Sequence, residues 1–98
     1  MSTRCNILLK DKSGAELWFY RHYDGYPDNI MPDLKRFMGW VKNGHLRDNV
    51  NQAGGWIIAM GLPPLDGHYE PTTEQHGDIN WLYTLDLGAK TIEKEEIS

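Results

Sequence analysis

The chain carries one cysteine, Cys5, in 98 residues. An intramolecular disulfide is therefore excluded, as is any metal site built on paired thiolates. Long apolar runs are missing too. The longest, Trp56 to Met60, is far too short to span a bilayer, so no membrane association through a span is expected. No hydrophobic stretch follows the first positive charge, so no signal peptide is expected. Basic charge is scarce. Ten Lys and Arg stand against fourteen Asp and Glu, for a net charge of −4, and no three basic residues are consecutive. General nucleic-acid binding, which needs a basic excess or stripe, is not expected. Acidic charge is also too thin for nucleic-acid mimicry, since the one dense run, Glu93-Lys94-Glu95-Glu96, is short and terminal.

Catalytic and cofactor signatures are absent as well. Gly54-Gly55-Trp56 lacks both the Walker lysine and the dinucleotide-binding glycine spacing, and close helix–sheet packing accounts for it better. His22, His45, His68 and His76 are scattered, without a metal-ligand spacing. His68 and His76 with Asp66, Glu70, Glu74 and Asp78 would make at most a weak surface metal site, and solvation explains that loop more simply. No metal, cofactor or catalytic residue is therefore expected. The simplest setting is a soluble protein of the reducing cytoplasm.

What is present is enough for one small domain over residues 1–98. Hydrophobic residues make up 40% and aromatics 11%, which supports a modest core and argues against global disorder. Cys5 to Lys10 and Glu16 to Tyr23 read as two strands around the turn Asp11-Lys12-Ser13-Gly14. The second strand is aromatic on both faces, which suggests a central position. Ile30, Leu34, Phe37, Met38 and Val41 then follow a helical period. Asp28 or Asn29 can cap that helix, Pro32 falls in its first turn, and Asn43-Gly44 stops it. Leu46, Val50, Ala53 and Ile57 suggest a second helix, which Gly54-Gly55 weakens. Trp56 to Met60 would then become a strand or buried turn. Residues 61–77 read as a long loop. Ile79 to Leu87 alternate as the clearest strand. Thr91 to Ile97 reads as a polar edge strand or, over 93–98, a fraying tail. The expected fold is α+β: a mostly antiparallel sheet of three to four strands, in order β-β-α-α-β with a possible final β, and two helices on one face.

The heptapeptide Arg21-His22-Tyr23-Asp24-Gly25-Tyr26-Pro27 concentrates polar function at the strand-to-helix junction. It offers a guanidinium fork for an anion and phenols for stacking. A plain structural junction, with Arg21 paired to Asp24, is the competing reading. A His–Asp pair can serve acid–base chemistry, and His22 with His76 is conceivable, but no nucleophile stands out and Cys5 reads as buried. Of the four tryptophans, Trp40 lies off the helical core stripe. With Met31 and Met38 it would suit a partner-binding face.

Thr3-Arg4-Cys5-Asn6-Ile7, Tyr20 to Pro27, and Gly77-Asp78-Ile79-Asn80-Trp81-Leu82-Tyr83 together resemble a group of small uncharacterised phage, prophage and bacterial proteins. Those proteins share a TRCNI start, a YRHxDGYP junction and a late GDIxYxY strand. The resemblance spans nearly the whole chain, with Trp81 standing where a tyrosine is common. It implies a counter-defence or host-takeover role in the host cytoplasm, exercised by binding and blocking.

If the three pieces meet at one end of the sheet, Arg4, Asn6, Arg21, His22, Asp24, Tyr26, Asp78 and Asn80 form one polar cluster, with Tyr23 beside it. Three functions follow. The first is a non-catalytic binding module associating with itself or a protein partner, with Met31, Met38 and Trp40 exposed. The second is a binder of a small nucleotide-like anion, with a pocket lined by Arg21 and Tyr26. The third is a phosphate-acting or RNA-cleaving enzyme using His22.

Overall fold

The computed structural model describes residues 3–61 and 69–97. Strand β1 (Cys5–Lys10) and strand β2 (Glu16–Arg21) form the expected hairpin, paired from Cys5↔Arg21 to Lys10↔Glu16. The turn closes because the Asp11 carboxylate accepts from Ser13 N and Oγ and from Ala15 N, while Gly14 takes φ of +88°. A side-chain acceptor for successive turn amides and a glycine in the left-handed region are what such a turn requires.

Helix α1 (Pro27–Lys42) starts earlier than its periodicity suggests. Its N-cap is Tyr26, with no side-chain cap bond, and neither Asp28 nor Asn29 holds that place. Pro27 supplies the start instead, because its fixed φ suits the first helical turn and its missing N–H is not needed there. The Tyr26 carbonyl accepts from Asn29 N and Ile30 N. Gly44, at φ of +84°, ends the segment as expected.

Helix α2 (Val50–Gly61) runs through Gly54-Gly55, so Trp56 to Met60 is helical and not a strand or turn. Packing explains the glycine. A methyl group on Gly54 would lie 2.7 Å from Leu17 Cδ1 and 3.4 Å from Phe19 Cζ. The helix packs closely on β2 at this point, where a larger side chain would have to displace the Leu17 side chain, and tertiary contact offsets the local propensity cost.

Strands β3 (Glu70–Thr72), β4 (Trp81–Asp86) and β5 (Thr91–Glu96) complete a five-stranded mixed sheet, ordered β3-β2-β1-β4-β5. Three of its four ladders are antiparallel, and β1–β4 is parallel. One element departs from expectation: β3 lies within the stretch read as a loop. Thr91–Glu96 takes the edge-strand alternative, paired with β4. β2 is an interior strand, between β3 and β1, and β1 is the middle one of the five.

Strand parity divides the sheet into two faces. Cys5, Ile7, Leu9, Phe19, Tyr83 and Leu85 form one core with Ile30, Leu34, Phe37, Met38 and Val41 of α1 and with Val50, Ala53 and Ile57 of α2. The helices therefore cover one face. The opposite face carries Asn6, Leu8, Trp18, Tyr20, Leu82, Thr84, Glu93 and Glu95, as the cross-strand register shows. No helix among the described residues is long and apolar enough to cross a membrane.

Candidate functional site

The three polar pieces do meet at one end of the sheet. Arg4 N donates to Asn80 Oδ1 at 3.0 Å, and Asn80 N donates back to the Arg4 carbonyl at 2.8 Å. This exchange joins the approaches to β1 and β4. The Arg4 guanidinium sits 3.5 Å from the Asp78 carboxylate. Tyr20 is the hub of the cluster. Its hydroxyl meets His22 Nδ1 at 3.0 Å and Asp78 Oδ2 at 3.4 Å, and the His76 ring stacks on it with centroids 4.1 Å apart. Beneath them Asn6, fully buried, donates to the Phe19 carbonyl and accepts from His76 N at 2.7 Å. The cluster thus contains Arg4, Asn6, His22, Asp78 and Asn80, together with Tyr20 and His76.

Arg21 is not part of it. Two-residue periodicity sends Arg21 to the helix-covered face, opposite His22. There it is 7% exposed, donates to the Tyr23 carbonyl at 2.9 Å and lies over the Tyr69 ring at 5.0 Å. Tyr69 in turn donates to Asp33 of α1 at 2.9 Å. Burial first, then the Asp33 charge, raises the Tyr69 phenol above its ordinary value, so it stays a donor. Tyr23 and Tyr26 are exposed. A pocket lined jointly by Arg21 and Tyr26 is therefore not what the junction forms: one side chain points inward and the other outward.

The rest of the heptapeptide is held by backbone bonds. Gly25 N donates to the Thr3 carbonyl, and the Tyr83 hydroxyl donates to the Gly25 carbonyl. Asn29 Nδ2 donates to the carbonyl of Asp24, which adopts φ of +57°. Asp is among the few residues that tolerate that region. These bonds match a structural junction.

Burial, followed by the Asp78 charge, raises the Tyr20 phenol above its ordinary value of 10.0, which disfavours it as a base. Cys5 is buried, and that burial pushes its thiol up to about 12, against the opposing charge of Arg21. Thiols in that state are poor nucleophiles. Among the described residues, no group of three or more His, Cys, Asp or Glu is placed to hold a metal ion. Asp66 and His68 lie outside the described residues.

The partner-binding candidates fare differently from one another. Met38 is 2% exposed and belongs to the core, where its place on the α1 apolar stripe puts it. Met31 and Trp40 are half-buried against that core. Trp40 packs edge-on against Trp56 at 5.4 Å with Arg36 above it at 5.7 Å, and Trp56 is the exposed tryptophan at 45%.

Met31 and Met38 nevertheless share a surface feature, a groove between α1 and β5. Two hollows of about 380 and 410 Å3 have Met31 and Lys35 in common. Pro27, Asp28, Pro32 and Lys94 line the first, and Met38, Gly39, Lys42, Lys90 and Ile92 the second. The groove is therefore lined by Met31, Met38 and Ile92 together with four lysines and Asp28, on a chain of net charge −4. Lys90 also approaches Asp48 at 3.9 Å. Sequence reading missed these lysines. The stripe Met31, Lys35, Met38, Lys42, at helical spacings of four, three and four, was the available signal. Placing Lys90 and Lys94 beside it required the strand register.

Comparison with protein-family models, with curated proteins and with solved structures finds no match to this chain.

Proposed function

We propose that the protein is a binding module that holds a segment of another protein in the groove between α1 and β5 and acts by occupying that partner. The observation that carries this reading is the groove itself, lined by Met31, Met38 and Ile92 together with Lys35, Lys42, Lys90 and Lys94. Thioether side chains adapt to varied apolar partners and are enriched in interfaces. Charges at a rim set specificity and encounter rate. The raised Tyr20 phenol and the buried Cys5 thiol are poor nucleophiles, which favours binding over catalysis. The inward turn of Arg21 removes the main support for an anion pocket at the junction. The resemblance to phage and prophage proteins suggests a host or defence protein as the one blocked.

The test is retention of proteins from a bacterial lysate on immobilised protein, compared across three forms. The wild-type chain and a Lys10→Glu, Lys12→Glu control should retain the same set. A Lys35→Glu, Lys94→Glu variant should lose it. Equal retention by all three forms would move the binding surface away from the groove.

A further inference from the structure

We infer that the partner segment binds as an added strand on the free edge of β5, with acidic and apolar side chains toward α1 and basic ones toward the open sheet face. This rests on the groove reading above and specifies its occupant. Among the described residues β5 is the last strand of the sheet, so no described strand lies on its outer side. Ile97 N donates inward to the Asn80 carbonyl at 2.8 Å. By strand alternation, the N–H groups of Ile92, Lys94 and Glu96 point outward. An extended peptide there would complete the ladder, a recurrent mode of peptide recognition.

The side chains of β5 specify the pattern. Ile92, Lys94 and Glu96 pair with Leu85, Tyr83 and Trp81, so they share the helix-covered face, with Glu96 at its end. Alternate side chains of an added strand on that face would meet the groove and its four lysines beside Ile92 and Lys94, so acidic and apolar residues fit there, with a neutral or basic one beside Glu96. On the other face Glu93 and Glu95 pair with Thr84 and Leu82. A strand beside them needs lysine, arginine or a neutral residue there.

The same glutamates argue against a second copy as the occupant. Two β5 edges paired antiparallel about a two-fold axis keep like faces together. Glu93 and Glu95 would then face the same acidic edge in the other copy, and like charges placed opposite are destabilising. Charged side chains on an edge strand are a common device against self-pairing. This edge is closed to itself and open to a complementary strand.

The test uses the full chain and amide hydrogen exchange read by NMR. The probe is a synthetic peptide of about ten residues. It alternates glutamate and leucine on one face with lysine and threonine on the other. The control has the same composition, scrambled so that both charges fall on both faces. With the patterned peptide, exchange at Ile92, Lys94 and Glu96 should slow at least about tenfold, while Glu93 and Glu95 stay unchanged. The Lys35→Glu, Lys94→Glu variant, altered only at exposed side chains, should prefer a peptide with lysine in place of glutamate.

Shifts of the Met31 and Met38 methyls without amide protection would overturn strand addition but leave the groove reading in place. An equal response to the scrambled peptide would overturn the two-faced charge pattern. Protection that exists without peptide and grows with protein concentration would assign the edge to a second copy and overturn the inference. No response to either peptide would also overturn it, while the lysate comparison would still decide the groove reading separately.

Discussion

The Tyr83 hydroxyl donates to the Gly25 carbonyl at 2.7 Å, across the buried end of the sheet. The contact ties β4 to the junction between β2 and α1. Gly25 lies against β1 as well, since a methyl group there would sit 3.0 Å from the N, Cβ and Sγ of Cys5. Tyr83→Phe leaves a buried carbonyl unpaired and should cost about 1–3 kcal/mol. Gly25→Ala must push β1 or the junction aside and should cost a similar amount. Urea unfolding checks both through a lower midpoint at unchanged slope. Wild-type midpoints would show that the junction is not held this way.

Asp11 connects the β1–β2 turn to α2. Its carboxylate accepts from Val50 N, the first residue of that helix, at 3.1 Å. The Ser13 side-chain bond, followed by the Val50 bond, holds its pKa below the ordinary 3.8. The unfolded chain takes up a proton at higher pH than the folded one does. The charged carboxylate therefore stabilises the fold above pH 3.8, and this contribution fades as pH falls through the folded value. Asp11→Asn should melt below wild type at pH 7, and the gap should narrow below pH 3.8. Thermal melts across that range check it, and a pH-independent gap would contradict it.

Cys5 should be unreactive while the protein is folded. Its thiol is raised to about 12, so almost none is thiolate near neutrality. The fold favours the protonated thiol. That contribution is complete below the ordinary 9.0 and is lost as pH rises toward the folded value. At pH 8, alkylation by a small haloacetamide should be about 100-fold slower or more in the native protein than in denaturant. Equal rates would place the thiol at the surface.

Asn6 and His22 belong to one cluster but should behave differently. Asn6→Ala strands His76 N and removes a second donor from the Phe19 carbonyl, at roughly 1–3 kcal/mol in all. His22 is exposed, so His22→Ala should stay within about 0.5 kcal/mol of wild type. Chemical denaturation of the two variants separates them. A large loss in His22→Ala would give that histidine a structural weight its exposure does not suggest.

Much of the fold was legible because it is local. The Asp11–Gly14 turn, the α1 stripe and the alternation of Ile79 to Leu87 each carry their own period or turn chemistry. Sequence could not show that β4 runs parallel beside β1, because alternation marks a strand without naming its neighbour. Gly54 misled for a related reason: its local propensity argued against a helix, and contact with Leu17 and Phe19 accounts for it. At the site, the meeting of Arg4, Asp78 and Asn80 was expected from strand ends. Arg21 was misplaced because proximity in sequence to His22 hid the opposite faces that strand parity assigns them. The lysines of the groove come from two elements distant in sequence, so only the α1 half was readable in advance.

The most direct measurement of the central claim is NMR of methyl-labelled methionine in the full chain, titrated with the patterned acidic peptide. Met31 and Met38 line one groove and should shift together and saturably, while the amides of the Ser13–Gly14 turn stay fixed. Saturable shifts at that turn or at His22 and Tyr26, with both methionines unmoved, would contradict a binding site between α1 and β5.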